Sequence, residues 1–315
     1  MSKISNRLLR RLALAALSGV LLAGTASLAP SARAETVEIR DARGPVTVPA
    51  RPERIVVYDL AALDTLDALG VTPAGVPEGV KPAYLEGYND AGIAKVGTLF
   101  EPDLEALLVE APDVVVIGGR SAAKRDELAA IAPTVDMTVD TSDFLPSAEA
   151  RIRALATLVG KQDLAEAKLA EIEEATRKLQ ARAADTGTAL VILTTGGRMS
   201  AYGPGSRFGI LHTAFGLTPA ASDLDVATHG QAVSYEFLLK TDPDWLFVID
   251  RDAAIGQKGE AAAAMLDNEI VRRTSAWKNG RVVYLDPGIW YLSGGGLTSL
   301  KAMVDEVSAA LATEN

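Results

Sequence analysis

The chain has 315 residues, a formal charge of −10 and no cysteine. Without thiols it can form no disulfide, no thiolate metal site and no cysteine nucleophile. Its acidity argues against a nucleic-acid partner, and its length allows two lobes with cores of their own.

The first 34 residues read as an address. Lys3, Arg7, Arg10 and Arg11 precede an apolar run at 12–24, shorter than the about 20 apolar residues of a membrane span. Ala32-Arg33-Ala34 supplies an A-x-A cleavage pattern. A signal peptide over 1–34 is therefore expected, with a mature protein starting at Glu35. No cysteine is available to carry a lipid, so that protein is expected to be free in a bacterial periplasm.

Strand-like and helix-like segments then alternate, which argues for an α/β fold. "VEIRDARGPVTVP" predicts a hairpin and "RIVVYD" a strand. "LAALDTLDALG" predicts a helix with Leu60, Leu63, Leu66 and Leu69 on one face, stopped at Gly70. A helix at "EPDLEALLVE", a strand at "DVVVIGG", a helix at "AAKRDELAAIA" and a short strand at "TVDMT" follow. "SAEARIRALATLVG" and "DLAEAKLAEIEEATRKLQARAA" are both helical. The second would reach roughly 30 Å, as a strut or a crossover. Beyond it come the strand "TALVILTT", a helix near "FGILHTAFG", a helix at "SYEFLLKT", the strands "DWLFVID" and "RVVYLD", and a last helix over about 295–311. The expected architecture is two Rossmann-like lobes, 35–160 and 186–315, each a mainly parallel sheet flanked by helices. One long interlobe helix at 161–185 joins them.

Two stretches are twins. "EALLVEAPDVVVIGGR" (105–120) aligns without a gap to "EFLLKTDPDWLFVIDR" (236–251). Each runs from Glu through a pair of leucines and Pro-Asp into a buried apolar strand, and closes on Arg. Ligands of open parallel sheets sit beyond the carboxyl ends of the strands. Arg120 and Arg251 both stand there, so the twins suggest a cleft with a cation on each wall. Taken singly, each would be an ordinary solvated arginine. Arg207 follows the turn Gly203-Pro204-Gly205 and is expected in the first turn of the next helix, a seat for an anion. No dinucleotide or P-loop fingerprint is present.

His212 lies on an apolar helix and reads as a core histidine. His229 stands in a loop before the second twin helix. "DPGIWYLSGGGL" (286–297) places Trp290 and Tyr291 on a loop past the end of a strand. A tyrosine phenolate is a hard donor suited to Fe³⁺ and imidazole is a good nitrogen donor. Two histidines without cysteine supply zinc poorly.

"VVYDLAALDTLDALGV", "PDVVVIGGR", "ILTTGGRMSAYGPGSRFGILH", "THGQAVSYEFLLKTDPDWLFVIDR" and "YLDPGIWYLSGGGL" together resemble the periplasmic binding proteins for ferric siderophores. The branch is the catecholate, enterobactin-type one, in the cluster with a rigid interlobe helix. That resemblance implies a monomeric component of an ABC importer, with Fe(III) as cargo within its siderophore rather than as a permanent cofactor. It implies that His229 and Tyr291 fill the two open positions of iron held by a tetradentate bis-catecholate. It further implies that Arg120, Arg207 and Arg251 hydrogen-bond the catecholate oxygens, and that Glu105 and Glu236 dock onto arginines of the inner-membrane permease. Two other readings remain open. A binder of haem or another iron chelate could use the same His and Tyr, but gives no role to three arginines. A secreted α/β enzyme would need a motif such as G-x-S-x-G or H-E-x-x-H, and neither is present.

Overall fold

The computed structural model describes residues 35–90, 92–227, 229–259 and 261–312, so the predicted signal peptide lies outside the described residues. Strands β1 (Thr36–Asp41) and β2 (Gly44–Pro49) form the expected antiparallel hairpin. The first sheet contains β3 (Ile55–Val57), β4 (Gly75–Val76), β5 (Ala94–Lys95), β6 (Val114–Ile117) and β7 (Thr134–Asp136). They lie in the order β5-β4-β3-β6-β7, with every pairing parallel. Chain order reverses between β3 and β6, which opens a crevice at the carboxyl ends of those two strands. β6 is apolar throughout and buried along its length, as a central parallel strand covered on both faces must be.

The second sheet contains β8 (Thr188–Thr195), β9 (Arg198–Tyr202), β10 (Thr218–Pro219), β11 (Gln231–Val233), β12 (Trp245–Asp250) and β13 (Val282–Tyr284). Its order is β11-β9-β8-β12-β13, and β10 also pairs with β8. β8 and β12 are parallel neighbours, while β9 folds back antiparallel on β8. That hairpin turns on Gly196 and Gly197, at φ 54° and 71°, where glycine carries no steric penalty.

Six helices matter for the site: α1 (Leu60–Ala68), α2 (Leu104–Glu110), α3 (Phe144–Val159), α4 (Gln162–Ala183), α5 (Tyr235–Thr241) and α6 (Leu297–Ala312). α4 is the long helix anticipated between the sheets. Its 22 residues bury Ala165, Leu169, Ile172, Thr176, Leu179 and Ala183 along one stripe. α6 packs against both α4 and α1. The apolar core consequently runs without a break from α3 and α4 through the second sheet to α6.

Two local expectations are corrected. Arg207 is not in a helix: it lies in the turn ahead of the single-turn helix Ile210–Thr213. Residues Gly288–Ser293, expected as a loop, form a wide π-helical turn. Asp286 caps this turn, its Oδ1 accepting from the Gly288 and Ile289 amides at 2.8 and 3.1 Å. Pro287 fits the entry to a helix, where its missing N–H costs nothing.

Candidate functional site

Each twin arginine leaves its strand into a short helical turn: Arg120 in Gly119–Lys124 after β6, Arg251 at the head of Arg251–Ala254 after β12. Arg207 arrives from the turn that follows β9. All three are half-buried and converge on Tyr291, which is half-buried as well. The guanidinium carbons stand 5.2 Å (Arg120), 4.7 Å (Arg207) and 5.6 Å (Arg251) from the centroid of its ring, within cation–π range. Arg251 Nε donates to the Tyr291 hydroxyl at 2.9 Å. The Tyr291 carbonyl accepts from Arg120 at 2.7 Å and from Arg207 at 2.9 Å. Arg120 also reaches the Leu292 carbonyl at 3.4 Å, and Arg251 reaches Thr195 Oγ1 at 3.3 Å.

Burial alone would raise the pKa of the Tyr291 phenol. The Arg251 hydrogen bond and the charges of Arg251, Arg120 and Arg207 outweigh it, and the net shift is downward. Burial and the neighbouring Arg120 lower the pKa of Arg207, yet a guanidinium stays charged at any physiological pH. The cluster is a concentration of positive charge around one oxygen donor, able to receive an anionic, oxygen-rich ligand.

The Tyr291 turn is held in place from the second lobe's side. Trp290 is buried, and its indole Nε1 donates to Glu306 Oε2 on α6 at 2.7 Å, while Glu306 Oε1 accepts from the Asp286 amide at 2.7 Å. Trp290 thus packs into the core and leaves Tyr291 to the arginines.

His229 is exposed in the turn ahead of β11 and makes no hydrogen bond to Tyr291 or the three arginines. Its neighbour Gly230, at φ 68°, lies so close to Tyr202 that an added Cβ would stand 2.8 Å from that ring. Tyr202 ends β9, packs edge-to-face on Phe208 at 4.8 Å, and lies within electrostatic reach of Arg207, Arg251 and Tyr291. It belongs to the site although sequence reasoning passed over it. Its place ahead of Gly203-Pro204-Gly205 was the available signal. His212, as expected, is a packing residue: its Nδ1 lies 2.9 Å from the Leu217 carbonyl, and burial lowers its pKa. Glu105 and Glu236 are exposed in the first turns of α2 and α5.

The sequence pattern described as "Periplasmic binding protein" matches residues 55–288. The chain is 40% identical over 267 residues to the petrobactin-binding protein YclQ of Bacillus subtilis, covering 84% of each. It is 33% identical over 270 residues to the ferric-anguibactin-binding protein FatB of Vibrio anguillarum, again covering 84% of each. The crystal structure of the periplasmic catecholate-siderophore binding protein VctP from Vibrio cholerae superposes with a TM-score of 0.83 at 30% identity, covering 87% of this chain and 100% of that one. A pattern spanning most of the chain and relatives of this closeness lead to one conclusion: the chain belongs to the periplasmic binding protein family, and the relatives named here are binding proteins rather than enzymes.

Proposed function

We propose that this protein captures a ferric catecholate siderophore over the Arg120–Arg207–Arg251–Tyr291 cluster and delivers it to an ABC permease in the inner membrane. The observation that carries the reading is the convergence of three guanidiniums, one from the first sheet and two from the second, on a single tyrosine. Iron-bound catecholate oxygens carry net negative charge, and each charge-assisted hydrogen bond to them is worth ~1.5–3 kcal/mol. Association costs of ~4–15 kcal/mol absorb much of that sum, so bonds to the metal must contribute. Tyr291, its phenol already shifted toward ionisation, supplies one. His229, free of partners in this cluster and next to the Gly230–Tyr202 contact, supplies the other by turning inward. The relatives named for petrobactin, anguibactin and catecholate siderophores support the cargo class. In the same reading, 1–34 is a cleaved export signal and the mature protein is a soluble periplasmic monomer. Lobes 35–160 and 186–315 are joined by the helix at 161–185, which limits their closure to small movements, and Glu105 and Glu236, one per lobe, face the permease.

The test is a pair of titrations. His229→Ala with Tyr291→Phe should weaken binding of a tetradentate ferric catecholate far more than of a hexadentate one, which already fills all six iron positions. Equal losses for both ligands would remove direct ligation from the account. Binding should produce a charge-transfer band with quenched tryptophan fluorescence; a Soret band on adding haem, with no response to catecholate, would identify haem as the cargo instead. Affinity should fall toward acid pH, because catechol, phenol and imidazole must all shed protons to reach iron.

A further inference from the structure

α1 buries a carboxylate: Asp64 is fully buried. A buried carboxylate needs partners, and none of those of Asp64 lies in its own helix. Oδ1 accepts from the Thr298 amide at 2.8 Å, and Oδ2 accepts from the Ser299 amide at 2.8 Å. These amides open α6, so a side chain from the first lobe caps the last helix of the chain. Oδ2 also accepts from the Tyr84 hydroxyl at 3.0 Å, and that hydroxyl is 2.9 Å from Ser293 Oγ. Ser299 Oγ in turn donates to the Ser293 carbonyl at 2.7 Å. Ser293 is the last residue of the π-helical turn that carries Tyr291. The fit is tight: a Cβ at Gly296 would stand 2.3 Å from Asp64 Oδ2, so the glycine run before α6 is where the backbone makes room for the carboxylate.

We propose that Asp64, acting through Tyr84 and the α6 amides, is a positioning residue that holds the Tyr291 turn in register against the three arginines. The inference rests on the reading above in which Tyr291 binds the cargo. Arg120 and Asp64 then act on this turn from the same lobe, one at its carbonyls and the other at its exit, while Glu306 holds its entry from α6. Loss of the carboxylate leaves Tyr291 present but badly aimed.

Two measurements test this on the full-length mature protein. In the ligand-free protein, Asp64→Asn should speed amide hydrogen exchange across 288–299 while β6 and β12 keep their protection. In ferric catecholate titrations, the same variant should lose about 10–100-fold in affinity for the tetradentate complex, the usual loss when a residue that orients a ligand is removed, and far less for the hexadentate one. Tyr84→Phe, which removes one hydroxyl from a part-exposed ring, should show the same pattern at smaller amplitude and serves if Asp64→Asn fails to fold. Unchanged exchange over 288–299 overturns the proposal, as does an equal affinity loss for both complexes in Asp64→Asn when Tyr291→Phe discriminates between them. If Tyr291→Phe itself fails to discriminate, the ligation reading falls, and the exchange result alone decides whether Asp64 orders the turn.

Discussion

The twin segments 105–120 and 236–251 are built alike yet serve different ends. Both helices end in a left-handed residue that is not glycine, Ala111 at φ 42° and Asp242 at φ 43°. Both Pro-Asp pairs cap the start of the neighbouring strand: Asp113 accepts from the Glu53 and Arg54 amides, and Asp244 from the Thr188 amide and hydroxyl. Both strands release an arginine at their carboxyl end. There the likeness stops. Arg120 donates across to backbone carbonyls of the Tyr291 turn, whereas Arg251 takes the phenol itself and Thr195 within its own sheet. The helices diverge too, since α2 exposes Leu108 and Val109 where α5 has Leu239 and Lys240. Local structure copied itself between the lobes; the task of each arginine did not, because only one turn of chain lies between them.

The comparison can be broken at several depths. The largest effect is expected at the arginines: Arg251→Ala and Arg120→Ala should each weaken ferric catecholate binding by about 1.5–3 kcal/mol, roughly one to two orders of magnitude in Kd by fluorescence titration. Only Arg120→Ala should also loosen the first lobe from the Tyr291 turn, seen as faster amide exchange there. If Arg251→Ala does the same, the division of labour is wrong. Next come the strand caps. Asp113→Ala and Asp244→Ala should each cost about 1–3 kcal/mol in urea unfolding, and similar values would show that the twins are energetic as well as geometric copies.

Smaller still are the left-handed caps. Ala111→Gly relieves backbone strain and should stabilise the protein by about 0.5–1 kcal/mol. Asp242→Gly should give less or reverse the sign, because the Asp242 carboxylate accepts from the Ser275 amide at 2.6 Å and its hydroxyl at 3.0 Å. The last difference belongs to the first lobe. Lys81, the one buried lysine among the described residues, donates to the Pro77 carbonyl at 2.8 Å and to Asn89 Oδ1 at 2.6 Å. Burial pushes its pKa down to about 8 from 10.5, with Lys95 adding to the fall and Glu78 opposing it. Between those two values the unfolded chain holds a proton that the folded chain has shed, so this group's contribution to stability should rise with pH across that window. Lys81→Met should flatten that slope in denaturation measured as a function of pH.

Much of this was legible in the residues. The leucine spacing of α1 and the long stripe of α4 set amphipathic helices, and the apolar runs after Pro-Asp set buried strands. β9 was missed although Gly196-Gly197 between β-prone residues is a hairpin signal. It was hidden because β9 opens on a polar, exposed Arg198. The Tyr291 turn was misread because a π-helical turn is too short to leave a period in the sequence, and Asp-Pro-Gly reads equally well as a loop or a cap.

The Asp286 cap, the Gly196-Gly197 hairpin turn and the apolar runs of the strands were determined by the sequence itself, since each depends on residues within a few positions of one another and on short-range sterics and hydrogen bonds. Only the tertiary structure decided which distant groups meet. Arg120, Arg207 and Arg251 come from separate strand ends, and they meet Tyr291 on a turn that Glu306 ties to α6 and whose last residue, Ser293, is linked through the Tyr84 hydroxyl to Asp64 of α1. Asp64 reads locally as a polar residue on a helix. Its burial follows from the packing of α6 across α1, a contact between segments far apart in the chain, and no local pattern specifies it.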